Sequence, residues 1–297
     1  MRRQGIPAVR VSLAGLVLLC GVCVPGTGAA HFDRLDTSSR ALGFGEAYVA
    51  LATDATASIY NPAGLGVLVQ PEVQLTVAQP YFVPDLLSNT VAVAWPALGG
   101  GLGATWHRLG NEFASENLWS LAYGRWVYKG DRGSGYLGGA LKLGHVGVES
   151  EPGADYASGA TAVTADLGSL YAWNTGVSAA AVVHNLGEPN FEFVDGAGGT
   201  PWKTYADLGL AYRWRPESTV SLGWSSDVRQ RDRWHVGGEI WFYDVFAVRA
   251  GIWATEFAGG VGLKTDHLEF DASFVTHTNL GLSGRFTVVV PVGGWRR

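Results

Sequence analysis

Apolar and polar residues alternate with a period of two through most of the chain after residue 70, as they do in β-strands. In one such segment Leu208, Leu210 and Trp214 share a face, while Asp207 and Arg213 lie on the other face among glycine and alanine. The alternation is centred near Leu75, Val93, Ala104, Leu121, Leu141, Leu167, Ala181, Leu210, Leu222, Val236, Val248, Val261, Phe270 and Leu282. The pattern predicts an all-β, antiparallel barrel of about fourteen strands, an even number as bacterial transmembrane barrels require.

Two all-β folds fit this alternation: a soluble sandwich or barrel with a buried apolar face, and a transmembrane barrel with a polar lumen. The polar face is rich in glycine and small residues, and Trp or Tyr stands near many strand ends, as in the aromatic girdles of membrane barrels. Only 16% of the residues are charged, which is low against the roughly 25% of soluble domains. The sequence therefore favours the transmembrane barrel.

The lengths of the connections predict how the barrel is oriented. If the amino terminus is periplasmic, connections from odd to even strands face outward. The two longest irregular segments begin at Glu149 and Leu186 and follow the fifth and seventh strands. Short links at 215–218, 243–245 and 265–267 then fall on the periplasmic side, where short turns are typical.

The amino terminus has the pattern of a secretory signal peptide: basic residues up to Arg10, an apolar run over 13–24 and small residues at 28–30. We expect cleavage after Ala30 and export to the bacterial outer membrane. Cys20 and Cys23 both lie in this segment, so the mature chain is expected to have no disulfide and no thiol chemistry.

Removing the signal peptide also changes the net charge. It carries three of the 21 basic residues and none of the 26 acidic ones, so the mature charge is 18 minus 26, or −8. This charge argues against nucleic acid as a partner.

A compact element is predicted between the signal and the first strand. The segment Arg40–Leu65, RALGFGEAYVALATDATASIYNPAGL, has too many apolar residues for a solvated linker. Thr53 or Asp54 can cap a short helix, and Asn61-Pro62 marks a turn. Helices this short need packing around them, and the lumen offers it. The predicted organisation is signal peptide 1–30, amino-terminal plug segment 31–70 and outer-membrane barrel 71–297.

The sequence ALGFGEAYVA, followed by DATASIYNPAGL, resembles the amino-terminal motif of PorV/PorQ-type outer-membrane proteins, which share a fourteen-stranded fold with FadL-type transporters of hydrophobic compounds. The resemblance implies a short helical plug at the periplasmic end of the barrel. Its motif residues are Leu42, Gly43, Gly45, Ala47, Asn61, Pro62, Ala63, Gly64 and Leu65. Glu46 departs from the family pattern, and the last strand ends either at Phe286 or near Val292.

No motif for catalysis or metal binding stands out. The histidines are scattered, and Ser221, His235 and Asp271 share the predicted lumen, where polar residues are expected in any case. We therefore predict a non-enzymatic protein with no cofactor and no metal. The predicted charged residues of the lumen are Asp207, Arg213, Glu239, Arg249, Lys264, Glu269, Asp271 and Arg285. As a set they could select solutes or hold the plug; singly, each could pair across neighbouring strands.

Two functions follow from the resemblance. A PorV/PorQ-like barrel implies a plugged scaffold for protein secretion of the type IX kind, with secretion-system proteins as partners. A FadL-like barrel implies uptake of hydrophobic small molecules. Outer-membrane lipid is a partner in both. Because the chain is short for a full FadL-type transporter, the sequence ranks secretion first and transport second.

Overall fold

The computed structural model describes residue 32 and residues 37–111, 113–148, 158–192, 199–226, 232–277 and 280–295. The predicted signal peptide, its cleavage site and both cysteines lie outside these ranges. So do most of the segment that begins at Glu149 and the centre of the one that begins at Leu186.

Within the described residues, fourteen antiparallel strands form a closed barrel, in which the first strand pairs with the last. The strands are β1 (Glu72–Gln79), β2 (Leu87–Ala97), β3 (Gly100–Gly110), β4 (Ala114–Gly130), β5 (Gly133–Val148), β6 (Ser158–Trp173), β7 (Val177–Leu186), β8 (Tyr205–Arg215), β9 (Ser218–Ser225), β10 (Arg233–Phe242), β11 (Phe246–Trp253), β12 (Glu256–Lys264), β13 (Glu269–His277) and β14 (Gly281–Pro291). Every predicted strand centre lies in its own strand, so the fold class predicted by the alternation is confirmed.

The two ends of the barrel differ in their connections. Glu72 and Pro291 lie at one end, together with the short links after the even-numbered strands; we call this the terminal end. The connections after the odd-numbered strands lie at the opposite end, which we call the loop end. The segments beginning at Glu149 and Leu186 both start at the loop end, as their parity predicts.

The apolar faces of the strands point away from the lumen. Leu208, Leu210 and Trp214 are exposed on the outside, whereas Ala211 of the same strand is buried inside. Exposed aromatic residues lie near the terminal end, among them Trp95, Trp126, Tyr128, Tyr212 and Tyr243. A soluble monomer does not expose so continuous an apolar surface, so this outer face is built to contact lipid.

In the part of the chain that the structure describes, no helix is long and apolar enough to cross a membrane.

The plug segment folds inside the barrel as short turns of helix. It contains α1 (Ser39–Gly43), α2 (Ala57–Tyr60) and a 3₁₀ helix (Pro62–Val67). The α1 helix is capped by Ser38, whose hydroxyl accepts from the Ala41 amide at 3.4 Å. The stretch around residues 48–52 forms only a single turn, with the Ala52 amide donating to the Tyr48 carbonyl at 2.9 Å. A second 3₁₀ helix (Pro80–Phe82) lies at the loop end.

The last strand takes the longer of its two predicted courses. It runs to Pro291, and the Val292 amide donates to the Pro71 carbonyl at 2.9 Å, which joins the end of the barrel to its beginning. Beyond it, the ring of Trp295 lies 3.9 Å from the Lys264 ammonium.

Candidate functional site

The plug backbone rests directly on glycines of the barrel wall. Gly237 and Gly251 are paired across β10 and β11. A Cβ atom at Gly237 would lie 2.0 Å from the Phe44 carbonyl oxygen, and one at Gly251 would lie 2.2 Å from the Gly45 nitrogen. Since no side chain fits between two backbones at these separations, the glycines of the lumen face form a bed for the plug.

The same arrangement recurs on the other side of the lumen. Gly124, Gly138 and Gly168 are paired in one row across β4, β5 and β6. A Cβ atom at Gly124 or Gly138 would lie 2.1 or 2.3 Å from backbone atoms of Pro62. Asn61 also fixes this part of the plug, since its amide donates to the Ser169 carbonyl at 3.2 Å.

A cluster of charges ties the start of the plug to the wall. Arg40 donates to both carboxylate oxygens of Glu239, at 3.1 and 2.8 Å. Arg249 donates to Glu239 at 2.6 Å, to Glu269 at 3.4 Å and also to Asp271. Burial alone would lower the pKa of Arg40, but the charge of Glu239 raises that pKa above its usual value. We call these five residues the plug lock.

Of the eight charged residues predicted to face the lumen, the structure brings Glu239, Arg249, Glu269 and Asp271 together in the plug lock. The other four lie elsewhere. Arg285 donates to the Ser38 carbonyl at 3.3 Å, and Asp207 lies 3.3 Å from the His184 imidazole. Lys264 stacks on Trp295 at the terminal end, and Arg213 is exposed.

A second buried charge cluster escaped the sequence analysis. Asp166 accepts from His184 at 2.9 Å and forms an ion pair with Lys142 at 2.8 Å. The other carboxylate oxygen of Asp166 accepts from the backbone amide of Asn185 at 2.9 Å. All these side chains are almost fully buried. In the sequence, only their positions on the lumen-facing side of the alternation pointed to these residues. Many other polar residues occupy such positions, so the cluster could not be singled out.

Next to this cluster, the described parts of the connection between β7 and β8 fold into the lumen. A two-residue ladder pairs Asn190–Phe191 with Thr200–Pro201. Phe191 and Trp202 are thereby buried among Phe32, Ile59, Leu118, Val146, Ala160 and Ala162. From the sequence, this connection was expected to be an irregular segment on the outer side, and its aromatic residues were not predicted inside the barrel.

A pocket remains between the plug and the wall formed by β7 to β10. Its enclosed volume is about 40 Å³, enough for a few water molecules. It is lined by Glu46, Val49, Ile59 and Tyr60 of the plug and by wall residues that include His184, Tyr205, Asp207, Ser225 and His235. Glu46, the departure from the family motif, therefore lies in the pocket. Because Ile59 also belongs to the aromatic cluster, the pocket and the cluster adjoin.

Ser221, His235 and Asp271 do not assemble into a catalytic triad. Ser221 donates to the Leu210 carbonyl at 3.3 Å, and Asp271 accepts from Arg249. His235 contacts the Ser225 hydroxyl at 3.1 Å and the Gly45 carbonyl at 3.0 Å. Each residue supports the wall or the plug.

No protein-family model matches the chain, and no curated protein matches it either. Solved structures do match over most of its length. The CymD monoaromatic hydrocarbon channel has a TM-score of 0.63 at 11% identity, over 86% of this chain and 96% of that one. A Pseudomonas aeruginosa FadL homologue has a TM-score of 0.55 at 12% identity, over 85% and 97%. The Ralstonia pickettii toluene transporter TbuX has a TM-score of 0.51 at 12% identity, over 80% and 92%.

Identities this low show the fold alone. That fold fits the FadL-like part of the sequence prediction and resembles bacterial outer-membrane channels, and the matched proteins are channels and transporters rather than enzymes. Membership of the PorV/PorQ family is not supported. This chain covers at least nine-tenths of each of the three matched proteins, so its length does not argue against a FadL-like fold.

Proposed function

We propose that the chain forms an outer-membrane channel for the uptake of small hydrophobic molecules. The observation that carries the proposal is the cluster of buried aromatic and aliphatic side chains inside the lumen, which adjoins a small pocket of about 40 Å³ beside the plug. A pore for polar solutes needs a water-filled lumen. Apolar side chains inside the lumen instead favour binding of an apolar solute, whose transfer out of water is favourable.

The plug determines how such a solute could pass. It rests on glycines on both sides of the lumen and is held at Glu239 by Arg40, so it closes the direct path along the barrel axis. A molecule that enters from the loop end then stops beside the plug, at the apolar cluster. Passage requires a movement of the plug or a departure through the wall.

A secretion scaffold of the PorV/PorQ kind is the second candidate. The plug motif between Leu42 and Leu65 favours it, and a barrel closed by a tightly seated plug suits a docking partner as well as a gated channel. Fold alone does not separate the two functions. The likeness to hydrocarbon channels supports transport over secretion, the reverse of the order ranked from the sequence.

Uptake of radiolabelled toluene into intact bacterial cells tests the proposal. Cells that express the chain should accumulate toluene faster than cells that lack it. The Ser225→Trp variant, which fills the pocket, should abolish the gain. The Leu222→Trp variant of the same strand, whose side chain faces lipid, should keep it. Equal uptake in all four strains, together with a block in protein export when the chain is removed, would replace transport with the secretion function.

A further inference from the structure

The aromatic cluster in the lumen has the architecture of a filled binding site. Ile59, Leu118, Val146, Ala160 and Ala162 form an apolar cleft, and all five are buried. Three rings fill the cleft: Phe191 and Trp202 of the inward-folded connection, and Phe32, whose ring centroid lies 5.3 Å from that of Trp202. Gly144 leaves room for these rings, since a Cβ there would lie 3.0 Å from each of them.

Trp202 is held in the cleft by backbone contacts and ring packing. Its amide donates to the Pro189 carbonyl at 2.8 Å, and its ring centroid lies 5.4 Å from that of Phe191. The ladder that carries both rings is only two residues long on each side. Since so short a ladder contributes little stability of its own, a competing ligand must disrupt mainly the ring contacts and the hydrogen bonds that flank Trp202, such as that of the Asn185 side-chain amide with the Lys203 carbonyl at 2.9 Å.

The cleft does not satisfy the polar atom of the indole. Trp202 is almost fully buried, yet its Nε1 atom has no hydrogen-bond partner in the described part of the chain. A buried N–H without an acceptor destabilises the state that contains it. A fused ring of the same size without a donor would fill the cleft without that penalty.

The cleft also distinguishes an aromatic ring from a saturated one. The Lys142 ammonium lies 5.4 Å from the centroid of the Trp202 ring and is itself nearly fully buried. Asp166 holds that ammonium in place at 2.8 Å. A cation at this distance from an aromatic ring stabilises it through a cation–π interaction. A saturated ring in the same place has no π electrons and gains no such stabilisation.

From these contacts we infer that the apolar cleft is a binding site for a neutral fused-ring arene of the size of naphthalene, and that Trp202 occupies it when no ligand is present. The inference rests on the proposed function and specifies its substrate class. The ligand displaces Trp202, takes its place beside Lys142 and lies next to the pocket through Ile59.

Methyl NMR of the purified barrel in phospholipid nanodiscs tests the inference, with naphthalene as the probe. The methyl signals of Leu118 and Val146 in the cleft should shift saturably and show intermolecular NOEs to naphthalene. The lipid-facing methyls of Leu121 and Leu141, on the same two strands, should shift without saturation because naphthalene also dissolves in the lipid. For decalin, the saturated analogue, the midpoint, which is the concentration that gives half of the maximal shift at the cleft methyls, should be about tenfold higher.

The Trp202→Ala variant removes the ring that competes with the ligand for the cleft. The naphthalene concentration that gives half of the maximal methyl shift should therefore fall by about tenfold or more. An unchanged midpoint in a folded variant would contradict the inference. So would the absence of NOEs at Leu118 and Val146 in the natural chain, or equal midpoints for naphthalene and decalin; these last two readouts need no variant. If these fail while the chain still accelerates toluene uptake, the proposed function stands and only the cleft assignment falls.

Discussion

Arg40 is the side chain that joins the plug to the wall of the barrel through charge. Its bidentate contact with Glu239 is partly buried, and Glu239 keeps Arg249 as a second partner. We expect Arg40→Met to lower the free energy of unfolding by about 1.5–3 kcal/mol, the value of a hydrogen bond to a charged group. Thermal unfolding in detergent, followed by the shift in gel migration of the heated barrel, measures this loss.

Arg215→Met provides the control. Arg215 is exposed at the end of β8, so its removal should change the stability by less than about 0.5 kcal/mol. Equal losses in the two variants would mean that the Arg40 contact contributes nothing specific.

Asp166 is the residue on which the second buried cluster depends. It faces the Lys142 ammonium, the His184 imidazole and the Asn185 amide at once. Asp166→Asn leaves the Lys142 cation buried without its counter-ion, and we expect a loss of about 3–5 kcal/mol. Chemical denaturation of the reconstituted barrel checks the value. The double variant with Lys142→Met should recover part of the loss; no recovery would argue against the ion pair as its cause.

At this scale the sequence predicted less than at any other. Alternation placed Glu239 and Asp271 on the lumen face, but it could not show that Arg249 would lie between them. That contact depends on the register of β10, β11 and β13, which side-chain periodicity does not contain. Lys142, Asp166 and His184 were overlooked for the same reason.

The plug and its glycine bed work as one element. Gly237 of the bed contacts the Phe44 carbonyl, and neighbouring Gly238 points outward, where a Cβ would lie 3.4 Å from its nearest neighbour. Gly237→Ala should displace the plug backbone, at a cost of about 1–3 kcal/mol, and should increase ion conductance in planar bilayers. Gly238→Ala is the matched control, with a change in stability below about 0.5 kcal/mol and no added conductance. A closed Gly237→Ala barrel would show that the plug tolerates the intrusion.

The strands could be predicted from the sequence because a wall between lipid and a polar lumen imposes a period of two on every strand. The plug obeys no such rule. Its single turn around residues 48–52 and its three short helices are fixed by contacts with the wall, such as that of Asn61 with the Ser169 carbonyl, rather than by their own periodicity. The inward fold of Trp202 is likewise a tertiary contact.

For the whole molecule, the decisive property is that a wide barrel is closed from within. Barrels of eight strands fill their interior with wall side chains, whereas those of sixteen or more leave an aqueous channel. At fourteen strands the lumen is wide enough to need a plug, and the lumen-facing glycines of the bed leave space that only the plug backbone occupies. We therefore expect closure to depend on the plug, together with the inward-folded connection between β7 and β8, rather than on the wall strands.

Deletion of residues 42–65 tests this directly. The remaining chain keeps all fourteen strands and their ladder, so the barrel should still show heat-modifiable migration, but its lumen should admit water and its single-channel conductance in planar bilayers should rise severalfold. The full-length chain and Gly238→Ala should stay closed in the same bilayers. If the deleted barrel is folded and equally closed, the wall side chains seal the lumen by themselves. The plug would then be a support for the strands, and the gating role proposed for it would have to be abandoned.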